Sequence, residues 1–188
     1  MTQPRPVSVT VFGTRQSNAG EQDYEDARRL GRLLAEAGWG VTTGGYGGAM
    51  EAVSRGAKDA GGRTRGITMS IFDPLPANAY LDEEEKVLNF FIRLERLIYG
   101  ADAYVVLHGG IGTITELGLT WSLLQTHCIE PKPMVLVGEH WARLIEAFQK
   151  DCLIRPADYE LISLARTPDE AVGQLRARIL GTESGKSR

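Results

Sequence analysis

One pattern dominates the chain: an apolar segment of strand length, then a glycine-rich turn, then a segment with helical periodicity. It occurs at 7–37, 39–60 and 103–125, and weaker versions follow towards the C-terminus. A β-branched or aromatic run that ends in glycine is typical of a buried strand. Strands that alternate with helices at this spacing favour a parallel sheet covered on both faces. We therefore expect an α/β fold, a Rossmann-like doubly wound sheet in a single domain.

The pattern also predicts where each element begins and ends. Strands are expected at 7–12, 39–43, 65–69, 103–107, 133–137 and 161–164, with a short strand around 87–88. Helices are expected at 21–37, 49–60, 90–99, 114–125, 141–153 and from Thr167 to about Leu180, and 70–82 as a loop. The final helix has a capping box with proline at its first position. Residues 1–181 would form the domain and 182–188 a flexible tail.

Size and charge narrow the function classes. The 188 residues include 43% hydrophobic residues, enough for one domain with a core. A net charge of −3 gives no general attraction to nucleic acid or an anionic membrane. No apolar run approaches the roughly 20 residues of a membrane helix, and the start is polar, so we expect a cytoplasmic protein. The two cysteines form no CxxC pair, and no metal or cofactor is indicated.

The strongest local signal is VVLHGGIGTITE at 105–116, where a buried strand breaks into glycines before a helix. Such a turn points backbone N–H groups outward at a helix N-terminus, where the helix dipole adds about half a positive charge. Gly109, Gly110 and Gly112 would allow close approach of an anion, and the Thr113 hydroxyl could donate a hydrogen bond. A tight turn with no ligand is the alternative. Neither a Walker P-loop nor GxGxxG is matched.

The segment 108–116 resembles the PGGxGTxxE motif of the LONELY GUY (LOG) family, with His108 in place of the proline. Arg93 stands fifteen residues earlier, as the family's arginine does, although Phe90 and Leu94 replace its methionine and lysine. Residues 43–50 resemble the GGGxxGLMG stretch, and 12–14 resemble the first strand and glycine turn. The resemblance implies hydrolysis of a nucleoside 5′-monophosphate of the AMP or cytokinin riboside type, in a homodimer. The apolar residues Phe90, Phe91, Leu94 and Leu97 would supply the dimer interface.

The resemblance also implies roles for individual residues. Glu116 would stabilise the positive charge that develops on the sugar, and Arg93 would bind the phosphate or the leaving base. The nucleotide would be held by the motif residues together with glycines and a serine from the two earlier loops. These binding residues are Gly13, Ser17, Gly44, Gly45, His108, Gly109, Gly110, Ile111, Gly112 and Thr113.

Structural alternatives exist for each of these side chains. Thr113 and Glu116 also fit a capping box, in which Glu116 would only bind a backbone N–H. Arg93 could lie on a solvated helix face or pair with a carboxylate such as Glu95. His108 could contact phosphate as a cation or merely fill the turn. Arg15, Gln16 and Ser17 could close over the ligand or form an ordinary surface loop.

Two functions other than hydrolysis are alternatives for this chain: a lysine decarboxylase and a ligand carrier. LOG proteins were long labelled lysine decarboxylases, but pyridoxal phosphate needs a Schiff-base lysine, and none of the five lysines adjoins a glycine loop. That activity is therefore disfavoured. The second rival is a carrier that binds a nucleotide or the molybdenum cofactor without hydrolysing it, as related Rossmann-like proteins do. The histidine in the motif and the missing Arg-Lys pair keep this rival open as the alternative to hydrolysis.

Overall fold

A computed structural model describes residues 6–185 and contains one seven-stranded sheet in the order β4-β3-β2-β1-β5-β6-β7, all parallel. The strands are β1 (Ser8–Phe12), β2 (Gly40–Thr43), β3 (Thr64–Met69), β4 (Glu83–Val87), β5 (Ala103–Val106), β6 (Met134–Val137) and β7 (Ser163–Ala165). The helices are α1 (Gln22–Glu36), α2 (Ala49–Asp59), α3 (Phe90–Tyr99), α4 (Ile111–Gln125), α5 (Glu139–Asp151), α6 (Pro156–Tyr159) and α7 (Pro168–Gly185). Within the described residues, no helix is both long and apolar enough to span a bilayer.

Helices cover both faces of the sheet, which confirms the doubly wound architecture. Alternate strand residues point to opposite faces, as Val105 and Tyr104 of β5 do. On Val105's side, buried residues of α1, α2 and α7 form one apolar cluster. On Tyr104's side, buried residues of α3, α4 and α5 form the second. The central strands are thus buried on two sides, which is why they read as continuous apolar runs.

Most predicted element boundaries agree with the structure to within two residues, and the exceptions have physical reasons. The strand expected at 87–88 is β4, Glu83–Val87, and Leu88 lies outside it, exposed. β4 is an edge strand of sequence EEEKV, so it lacks apolar alternation. Its carboxylates instead pair with β3, because Arg65 contacts both Glu83 and Glu85.

Two helices differ more from the prediction. α4 begins at Ile111, three residues before the expected Ile114. Thr113 is buried, and its packing favours the helical first turn in spite of the poor helix propensity of Gly112. α7 extends to Gly185, beyond the expected end near Leu180, and residues 186–188 of the predicted tail lie outside the described residues. The Thr167 cap is confirmed, because the Glu170 amide donates to the Thr167 hydroxyl. The one-turn α6 was not predicted.

The sheet order reverses between β1 and β5, and the loops that follow β1, β2 and β5 meet at this edge. β1 pairs with β2 on one side and with β5 on the other. The Thr14 amide donates to the His108 carbonyl at 3.2 Å, and the Thr14 carbonyl accepts from the Ala49 amide at 2.8 Å. Ligands of open α/β sheets bind in the crevice at such a switch point. The fold therefore brings the three glycine loops together where a ligand is expected.

Candidate functional site

Arg93 of α3 and Glu116 of α4 form a buried ion pair near this edge of the sheet. Arg93 Nη1 donates to Glu116 Oε1 at 3.2 Å, and each residue is 7% exposed. Two further Arg93 nitrogens bind backbone carbonyls: Nε donates to Ile67 at 2.8 Å and Nη2 to Gly44 at 3.2 Å. The guanidinium is thus fixed in orientation by the ends of β2 and β3. The two predicted catalytic residues are brought together.

The side chain of Arg93 explains why glycine stands at position 44. A Cβ at Gly44 would overlap Arg93 Nη2 and lie 2.7 Å from the Met50 sulfur. The neighbouring glycines also contact the protein closely. Gly45 has a φ of +80° and would meet Gly66, and a Cβ at Gly13 would lie 3.1 Å from that of Ala49. Packing therefore explains why glycine stands at positions 13, 44 and 45. Contact of these glycines with a nucleotide remains a prediction.

The environment of Glu116 changes its acidity. Burial raises the pKa of the Glu116 carboxyl to about 7, although the Arg93 charge and hydrogen bond act in the opposite direction. Among the described residues, Arg93 is the side chain that binds this carboxylate, and it binds Oε1. Oε2 accepts no hydrogen bond in that part of the chain. The Glu116 carboxyl therefore has a pKa near neutrality and one oxygen without a hydrogen bond from the described residues, as suits a group that transfers protons.

The capping-box alternative for Glu116 is wrong, whereas the ion-pair alternative for Arg93 is confirmed with a different carboxylate. A capping box needs Thr113 at the N-cap, but that position belongs to Gly110, and Thr113 lies inside the first turn. Glu116 binds Arg93 and not its own helix terminus. Arg93 is buried, so it does not lie on a solvated face, and its carboxylate partner is Glu116 and not Glu95, which pairs with Arg96.

The N-terminus of α4 is open. No side chain in the described part of the chain caps it, so the amides of Ile111, Gly112 and Thr113 have no partner within the helix. A Cβ at Gly110 or Gly112 would meet nothing within 4 Å, whereas one at Gly109 would overlap the Thr113 side chain. Ile111 is exposed beside them. Free amides, open space and the positive end of the helix dipole together make this terminus a suitable anion site.

The loop after β1 and the residue His108 lie next to this terminus. Thr14, Gln16, Ser17, His108, Gly109 and Gly110 line a common cavity of about 230 Å³. Ser17 is 7% exposed, whereas Arg15 and Gln16 before it and Asn18 after it are exposed. His108 is also exposed, and its Nδ1 lies 2.6 Å from Asp23 Oδ2. Neither Glu21 nor Asp23, which share the cavity, was predicted, because an acidic helix N-terminus needs no ligand.

In residues 6–185, no three His, Cys, Asp or Glu side chains come close enough together to hold a metal ion.

Comparison with known proteins gives one family and a consistent fold. The family model described as possible lysine decarboxylase matches residues 50–175. A cytokinin riboside 5′-monophosphate phosphoribohydrolase of Rhodococcoides fascians is 30% identical over 93% of this chain and 91% of its own. A protein of the same name from Mycobacterium tuberculosis is 36% identical over 60% of this chain and 61% of its own.

Among solved structures, the molybdenum cofactor binding protein of Rippkaea orientalis superposes with a TM-score of 0.76. It is 22% identical and covers 95% of this chain and 99% of its own. At this identity the likeness extends to the fold alone.

Proposed function

Because the chain belongs to the LOG family, whose model carries the description possible lysine decarboxylase, we propose that it hydrolyses nucleoside 5′-monophosphates. The bond broken is the N-glycosidic bond, and the products are the free base and ribose 5-phosphate. The observation that carries the proposal is the buried Arg93–Glu116 pair beside the open N-terminus of α4. The names of the relatives suggest a cytokinin riboside 5′-monophosphate as substrate, and AMP is the simpler substrate that the sequence resemblance implies.

The phosphate would bind the free amides of α4, from Gly110 to Thr113. Glu116 follows Ile111 by five positions, which is about 7.5 Å along the helix axis. A ribose 5-phosphate can bridge that span, so a phosphate on the amides would place its sugar near the carboxylate. Holding the two ends of the substrate in this way supplies part of the catalysis by positioning.

Glu116 would act at the sugar. N-glycosidic cleavage passes through an oxocarbenium-like sugar, whose positive charge an ionised carboxylate stabilises. Water adds to the anomeric carbon, the bond to the base breaks, and the base leaves with a proton. Glu116 Oε2 can orient that water or accept its proton. Arg93 would favour the ionised form of Glu116 and hold it in place.

The contacts of Arg93 favour this role over that of a phosphate ligand. Three of its five N–H groups already bind Glu116, Ile67 and Gly44. The remaining two can still reach a substrate, so a contact with the leaving base or with a phosphate oxygen stays a prediction.

A substitution at Glu116 tests the proposal. Incubation of the wild-type protein with AMP should release adenine, detected by chromatography, and Glu116→Gln should slow the release by about 10²-fold or more. The control is Glu95→Gln, an exposed acid of α3 that should leave the rate unchanged. Tight retention of AMP with no adenine from the wild type would contradict hydrolysis and support the carrier.

We also propose a homodimer, on the family resemblance and on exposed apolar side chains. Phe91, at the start of α3, is 82% exposed, and its near neighbours in the chain Leu88 and Phe90 are exposed too. On α4, the exposed apolar residues in the first turns are Ile111 and Ile114. Leu94 and Leu97, which were expected at the interface, are buried in the core of their own chain. The proposed interface is therefore restricted to the N-terminal ends of α3 and α4.

A further inference from the structure

His108 is held between the loop after β5 and the first turn of α1. Its ring Nδ1 lies 2.6 Å from Asp23 Oδ2, and its carbonyl accepts the Thr14 amide. The ring also lies 4.2 Å from that of His140, at an angle of 38°. Because Nδ1 is engaged, the nitrogen that His108 can offer to a ligand is Nε2. Burial and the nearby His108 lower the pKa of His140, which favours a neutral neighbour.

The cavity beside His108 contains a hydroxyl with no partner. Ser17 lines it with Thr14, Glu21, Asp23, His108 and Gly110. The Ser17 Oγ is buried, and no hydrogen-bond partner for it exists among the described residues. A buried hydroxyl that stays unsatisfied costs free energy, so its position on a polar cavity indicates that a ligand or water completes it.

Both carboxylates of the cavity are already engaged. Glu21 accepts the amide of Asn18 and its side-chain Nδ2, each at 2.9 Å. Asp23 binds His108. The polar groups left for a ligand include the Ser17 hydroxyl, the Gln16 side chain, His108 Nε2 and the amides at the start of α4. The hydroxyl, the side-chain amide and the backbone amides can donate, and so can Nε2 of a protonated ring, and donors are what an anion requires.

A cation is still needed beside a doubly charged phosphate, and the arginine of the motif is engaged elsewhere. The guanidinium of Arg93 binds Glu116, and neither arginine nor lysine lines this cavity in the part of the chain that the structure describes. An Asp-paired histidine is the remaining group that can carry positive charge there. The carboxylate of Asp23 orients the ring, because it contacts Nδ1 and leaves Nε2 free.

We propose that His108 is the cationic donor that binds the phosphate of a phosphomonoester ligand, with Asp23 as its positioning residue and Ser17 as a second donor. The anion site stands on the geometry alone, and only the identity of the ligand rests on the proposed function. The histidine that replaces the family's proline thus gives this chain a side-chain donor at the phosphate.

Nuclear magnetic resonance of the three histidine rings tests the proposal on the wild-type protein. Titration with inorganic phosphate should shift the His108 ring nitrogens in a saturable manner, whereas the exposed His127 stays unchanged. Single His→Gln variants assign the three signals. Equal small shifts at His108 and His127 would indicate an adventitious ion only and would overturn the proposal.

Calorimetry supplies a second readout that hydrolysis does not affect. In the Glu116→Gln background, His108→Ala should weaken AMP binding by about tenfold or more, and Asp23→Asn should weaken it less. Adenosine, which lacks the phosphate, should bind all these variants equally, and His127→Ala is the matched control. Unchanged AMP affinity in His108→Ala, or an equal loss for adenosine, would contradict a phosphate contact.

These measurements separate the two proposals. Phosphate binding at His108 in a protein that releases no adenine would overturn the hydrolase and keep the inference. If the wild-type protein releases adenine but His108→Ala leaves the AMP affinity unchanged, the hydrolase proposal is kept and the His108 inference is overturned.

Discussion

At the scale of residues, the sequence predicted Arg93, Glu116 and His108 as candidate site residues but not the side chains with which they pair. Glu116 and Arg93 were found through their spacing in a motif. Their ion pair joins positions 23 apart in the chain, on two helices whose orientation no local pattern records. His108 and Asp23 lie 85 apart, and their contact depends on the packing of α1 against the loop after β5. Short-range sequence patterns indicate candidate residues, whereas the contacts of those residues depend on the tertiary structure.

The acidity of Glu116 predicts how the reaction depends on pH. Since its pKa is raised to about 7, the carboxyl is protonated below that pH and cannot stabilise a cationic sugar. The kcat for AMP hydrolysis should therefore rise as the pH increases from 5.5 to 8, with its midpoint at about pH 7, and level off above about pH 8. Initial rates across this range check the prediction, with circular dichroism to verify folding. A rate that is constant or falls with increasing pH would contradict it.

Replacement of Arg93 extends this experiment. Arg93 lowers the pKa of Glu116, so Arg93→Gln should move the midpoint of the profile to higher pH. Arg96→Gln removes an exposed arginine of the same helix and should leave the midpoint in place. If both variants keep the wild-type midpoint, Glu116 is not the group that titrates.

At the scale of elements, the close crossing of α1 and α2 could not be read from the chain. A Cβ at Gly31 would overlap the Val53 carbonyl, and one at Gly56 would overlap the Arg28 carbonyl. In the sequence, a glycine inside a helical pattern only lowers the predicted helix propensity. The close contact that requires it is with the backbone of another helix, which the local sequence does not show. β4 was mislocated for a similar cause, since its charged residues find partners only on β3.

The crossing gives a prediction about stability. Gly31→Ala should lower the free energy of unfolding by about 1–3 kcal/mol, because the added methyl group forces two backbones apart. Gly173→Ala is the matched control: this glycine of α7 has nothing within 4 Å of an added Cβ, so alanine should gain up to about 1 kcal/mol. Urea denaturation of both variants measures the difference. Equal midpoints would show that the crossing is not tight.

At the scale of the whole molecule, the strand–glycine–helix pattern predicted the fold class. It did not predict which apolar residues lie on the surface of the protein. The same apolar periodicity that predicts the core of α3 also marks residues that turn outward. Leu97 and Phe91 belong to one helix and are both apolar, yet one is buried and the other is 82% exposed. Only the packed structure separates the core from the proposed interface.

The interface is tested by molecular mass in solution. Phe91→Asp should convert the proposed dimer to a monomer, because a charge would have to be buried without a partner. Leu153→Asp replaces a fully exposed leucine outside this surface and should leave the mass unchanged. Light scattering after size-exclusion chromatography distinguishes the states. A wild-type protein that elutes as a monomer would refute the dimer.

The bonds of Thr14 have a consequence for how this architecture tolerates change. With its amide on His108 and its carbonyl on Ala49, one residue ties the turns after three strands into a single body. An insertion in any one of them would have to displace the other two. Variation in length among natural or engineered relatives should therefore collect at the opposite rim of the sheet, where the connections are not tied by this residue.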